Sequence, residues 1–62
     1  MITKAQEVMA EALWVETNKG DDGPRFIAEQ IAVLALRGDE EGIARWNAIA
    51  AAFDRLRAGT MQ

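Results

Sequence analysis

Two Gly-Asp junctions divide this chain, Gly20-Asp21-Asp22-Gly23-Pro24 and Gly38-Asp39-Glu40-Glu41-Gly42. Glycine just past a helix end adopts the left-handed backbone that closes the last turn, and an aspartate after it can accept from the free N–H groups of a following helix. Each junction therefore reads as a helix stop followed by a helix start. The expected fold is all-α, a small three-helix bundle in a single domain spanning residues 1–62, with helices over about 4–19, 24–37 and 40–57.

Thr3 and Gln6 form a capping box ahead of the first helix, and Glu7 favours its N-terminal dipole. At 100° per residue, Ile2, Ala5, Val8, Met9, Ala12, Leu13 and Val15 collect on one broad apolar face. Trp14 falls outside it, on the polar side with Ala10, Glu7 and Asn18. In the second helix Asp22 is the expected cap and Pro24 suits the first turn. Ile27, Ile31, Leu34 and Ala35 make one stripe, and Phe26, Val33 and Leu36 make another displaced from it. A helix apolar on most sides needs more than one neighbour, which points to a second subunit and a homodimer.

The third helix is expected to take Asp39 as its cap and to place Glu40 and Glu41 in its first turn. Arg55 and Arg57 complement the dipole near its end, and Gly59 terminates it. Ile43, Trp46, Ile49, Ala50, Phe53 and Leu56 follow core spacing, while Ala44, Ala48, Ala51 and Ala52 allow close helix approach. Glu41 and Arg45 form an expected i, i+4 pair. Thr60, Met61 and Gln62 carry no pattern and read as a frayed tail.

With 62 residues, no cysteine and no histidine, the chain lacks disulfides, thiolate metal ligands and the commonest general base. A core this small needs efficient packing or oligomerisation. The net charge of -3, with no run of basic residues, argues against a grip on nucleic acid. No apolar stretch approaches the length of a membrane span, and Met1-Ile2-Thr3-Lys4 lacks the order of a signal peptide. The expected location is the cytoplasm.

The acidic clusters do not match a calcium loop, whose ligands need a different register, and capping accounts for their carboxylates, so no metal or cofactor is expected. Thr3, Thr17 and Thr60 have no base to activate them, and no catalytic residue is assigned. Arg37-Gly38-Asp39 straddles a helix stop and start and is read as a coincidental match to an adhesion tripeptide. The expected role is a non-enzymatic protein-interaction module that self-associates and binds an unidentified protein partner through Trp14, Phe26, Val33 and Leu36. The alternative is a helix-turn-helix-like DNA-binding regulator or accessory built on the second and third helices, although its recognition helix would lead with three acids. A small-ligand or metal-binding role is a third possibility.

Gly20-Asp21-Asp22-Gly23-Pro24-Arg25-Phe26-Ile27-Ala28-Glu29, Leu34 to Asp39, and Gly42-Ile43-Ala44-Arg45-Trp46-Asn47-Ala48-Ile49-Ala50 together resemble a family of very short uncharacterised alphaproteobacterial proteins common in sphingomonads. The likeness covers about Ala12 to Leu56. It implies a free-standing bacterial protein and supplies no activity, cofactor or catalytic residue.

Overall fold

A computed structural model describes residues 1–60; the expected tail at Met61 and Gln62 lies outside the described residues. The described residues are helical almost throughout and form no strand: α1 spans Lys4–Lys19, a 3-10 turn spans Gly20–Asp22, α2 spans Gly23–Arg37, and α3 spans Glu40–Thr60. The all-α expectation holds, and its division into three separate helices is corrected. Between Lys4 and Arg37, α1, the 3-10 turn and α2 follow one another without an intervening loop, and the chain bends at Gly20, whose backbone at φ 51° and ψ -120° is not helical. It forms one long bent helical stretch, with α1 and α2 as its arms, and α3 is the second helix.

The two Gly-Asp junctions differ because their backbones differ. Gly38 is left-handed, at φ 70° and ψ 25°. Its N–H donates to Ala35 O at 3.1 Å, and Asp39 N donates to Leu34 O at 3.0 Å. That reciprocal pair is the Schellman closure of α2. Asp39 then caps α3, its Oδ1 accepting from Gly42 N at 2.9 Å. Here the stop and the start are both real.

Gly20 also takes a positive φ, 51°, and its N–H bonds back to Glu16 O, so α1 does end there. Asp22, however, sits at φ -85° and ψ -1° and makes no capping bond. A capping residue needs an extended backbone to aim its oxygen at the following N–H groups. The helical geometry of Asp22 denies it that aim, and its carboxylate pairs with Arg25 at 3.3 Å instead. This junction is a bend within a helical course.

At the N-terminus the capping box is present in both directions. Gln6 N donates to Thr3 Oγ1 at 3.1 Å, and Thr3 N donates to Gln6 Oε1 at 2.8 Å. At the other end α3 runs through Gly59 to Thr60, so Gly59 is not its terminus and Thr60 belongs to the helix.

The core is Ala12, Val15, Ile27, Ile49, Ala52 and Phe53, with Val8, Met9, Phe26, Ile31, Trp46, Ala50 and Leu56 packed against it. α3 packs on both arms, while the arms touch each other little. The molecule is accordingly flattened, 38 × 31 × 16 Å, with a radius of gyration of 11.7 Å. A compact domain of this length has about 10.6 Å.

The inward face of α1 is narrower than its periodicity suggests, because a single helix covers it. Val8, Ala12 and Val15 turn inward, whereas Ile2 at 61% and Leu13 at 48% exposure lie outside. Ala35 of α2 is exposed for the same reason. Gly23 is buried where α2 begins, and a Cβ built on it would stand 2.6 Å from Phe53 Cε1. Its lack of a side chain is what admits the Phe53 ring beneath the bend.

Candidate interaction surface

Trp14 projects from the bend side of α1 and meets α2. Its ring centroid is 6.0 Å from that of Phe26 at 45°, and Phe26 in turn stands 5.9 Å from Trp46 at 71°. Such tilted and edge-on arrangements place ring edges toward the electron-rich faces. Lys19 Nζ lies 4.8 Å from the Phe26 centroid, within cation–π range. Trp14 is thus partly covered by its own chain, yet remains 48% exposed. A shallow depression of about 330 Å³ adjoins it, lined in part by Ile2, Ala10 and Glu11.

Of the four residues singled out by sequence, Trp14 and Phe26 come together. Phe26 is half-buried against the core. Val33 lies seven residues further along α2, about 10 Å at 1.5 Å per residue, and is rotated only about 20° from Phe26. It is 45% exposed, and Leu36, at the end of α2, is 90% exposed. Leu36 is rotated by about 80° from Phe26, so it caps the edge of this apolar surface. Leu13 and Ile2 add exposed apolar area that periodicity assigned to the core.

A larger groove of about 680 Å³ runs between α1 and α3. Ala5, Val8 and Met9 form one wall, Ala44, Ala48 and Ala51 the other, and Lys4, Glu41 and Arg55 lie on its lining. The sequence signal for it was the alanine run of α3. A run serving only to pack α3 within the chain would be buried, but Ala44, Ala48 and Ala51 face outward.

Charged groups tie α1 and the 3-10 turn to α3 around these surfaces. Arg45 reaches Glu11 of α1 at 3.3 Å, so the expected helical pair with Glu41 is not formed. Arg57 bonds Glu16 at 2.9 Å and also Asp21. The hydrogen bond that Arg57 donates to the Asp21 carboxylate is the main reason that the Arg57 pKa is raised above its ordinary value; the charge of Glu16 adds to it and burial opposes it. Among the described residues no polar or charged side chain is buried. No cluster of three or more acids, histidines or cysteines among them is arranged to hold a metal ion. Asp39, Glu40 and Glu41, at the start of α3, are all exposed.

The family of unknown function DUF6961 matches residues 4–60. The chain belongs to this family. The match extends from the first residue of α1 to the last of α3, so the DUF6961 unit coincides with the bent helical stretch and the helix it packs on. No curated protein and no solved structure matches the chain. No helix among the described residues is long and apolar enough to cross a membrane.

Proposed function

We propose that this DUF6961 protein is a small all-α, non-enzymatic interaction module of the bacterial cytoplasm, that it self-associates, and that it binds a second protein through Trp14, Phe26, Val33 and Leu36. We place it among the alphaproteobacterial proteins that its turn and Trp-containing helix resemble. The observation that carries the reading is the set of large apolar side chains left on the surface, Leu36 above all. The chain exposes 4530 Å², whereas a compact protein of this mass exposes about 3,950 Å². Aromatic anchors flanked by aliphatic side chains are the usual energetic centres of protein interfaces.

The test is affinity capture from the native cytoplasm with the wild-type protein and with Leu36→Asp and Val33→Asp. Both positions are exposed, so the variants are expected to keep the wild-type circular dichroism spectrum and to lose the captured partner. Identical captures with all three proteins would refute the assignment of this face. Binding to random duplex DNA at low salt is expected to be undetectable, because the exposed start of α3 is acidic. Tight, salt-sensitive binding there would replace this reading with that of a DNA-associated regulator.

A further inference from the structure

The groove between α1 and α3 has a property that the Trp14 face lacks: its charges complement themselves. Glu41, Ala44, Ala48, Ala51 and Arg55 are spaced 3, 4, 3 and 4 residues apart, the spacing of a heptad seam. All five line the groove, and the three alanines are exposed. Glu41 and Arg55 each lie seven residues from Ala48, on opposite sides. Neither makes an ion pair among the described residues.

The geometry points to a second copy of this chain as the occupant of the groove. The two α3 helices would lie antiparallel about a two-fold axis at Ala48. In that arrangement each Glu41 stands opposite Arg55 of the other copy, at both ends of a contact about 21 Å long. A parallel arrangement would oppose Glu41 to Glu41 and Arg55 to Arg55, so the charges select the antiparallel one. Alanines along the seam let the two backbones approach closely, and Val8 and Met9 supply an apolar wall for the incoming helix. The contact is isologous and closes on itself. It therefore gives a dimer and leaves the Trp14 and α2 face free for a different protein. This assignment rests on the self-association reading above and gives it a surface.

Because the chain has no cysteine, Ala48→Cys places one thiol per copy at the axis. A disulfide forms only when the Cα atoms come within about 4.4 to 6.8 Å. Mild oxidation is expected to convert Ala48→Cys almost fully to a covalent dimer and to leave Leu36→Cys uncoupled. Sedimentation across a concentration series completes the test. Each of Glu41→Arg and Arg55→Glu makes two attractive pairs repulsive and is expected to weaken dimerisation about tenfold, with the double swap returning to within about threefold of wild type. A wild-type protein that stays monomeric at high micromolar concentration overturns both self-association and this surface. A wild-type dimer whose Ala48→Cys does not couple, or whose double swap is not rescued, overturns the groove alone. Coupling through Leu36→Cys moves the dimer contact to α2.

Discussion

Gly23→Ala is the substitution whose sign separates two effects. Alanine in place of a helical glycine ordinarily stabilises by about 0.4 to 1 kcal/mol, through helix propensity and a less flexible unfolded chain. Gly23 has an ordinary helical backbone, φ -53° and ψ -51°, so no strain opposes that gain. The new methyl would nevertheless stand 2.6 Å from Phe53 Cε1, inside the roughly 3.5 to 4.0 Å of an ordinary carbon contact. Phe53 is 1% exposed and has no open side toward which to retreat. Overpacking of this kind costs about 1 to 3 kcal/mol. The net effect is a loss of about 1 to 2 kcal/mol, which at this size lowers Tm by roughly 5 to 15 °C. Thermal and urea unfolding followed by circular dichroism, at one fixed chain concentration, measure it. Gly59→Ala is the control, because a Cβ there meets nothing and the residue lies within α3; it is expected to raise Tm slightly. Adding Phe53→Leu to Gly23→Ala should recover part of the loss. A Gly23→Ala protein as stable as wild type would refute the claim that this glycine exists to seat the ring.

Gly38→Ala is expected to cost about 1 to 2 kcal/mol for a different reason, since the space around it is open and only its φ of 70° opposes a side chain; Gly38→Asn should cost less. Thr3→Ala removes one half of the capping box and is expected to lower stability by about 1 kcal/mol in urea titrations. Arg57→Ala should lower Tm more in dilute buffer than in 1 M salt, because screening weakens the wild-type pairs with Glu16 and Asp21. The pKa of Arg57 is raised in the folded state. Its contribution is therefore complete at every pH below the ordinary guanidinium value and is lost only as pH rises through the raised one. Differential scanning from pH 7 to pH 10 should show no loss of stability traceable to this group.

Periodicity located the helical segments, because an amphipathic repeat of 3.6 residues is a local property. Turn chemistry located Thr3, Gly38 and Asp39 for the same reason. The burial of individual residues was less legible. Ile2 and Leu13 satisfy the apolar pattern of α1, yet only a residue facing α3 is covered, and the sequence does not say how wide that contact is. Asp22 carries the right atoms for a cap and the wrong backbone, which is decided by how tightly Gly20 and Gly23 close the 3-10 turn. The partners of Arg45 and Arg57 lie 34 and 41 residues away, beyond any helical spacing rule. At the candidate surface, the contact between Trp14 and Phe26 depends on the bend angle, and the groove depends on which side of α3 its alanines face.

The dependence of both arms on α3 also bears on how the chain acquires its fold. Residues 1–37 comprise the whole bent stretch, but its arms bury little against each other, and isolated helices of this length are marginal in water. Synthesis proceeds from α1 to α3, so the arms emerge with their apolar faces exposed and remain without a packing partner until residues 40–60 follow. A peptide ending at Arg37 should accordingly stay largely unfolded. Order would reach all the helical segments together, when the helix made after the others arrives.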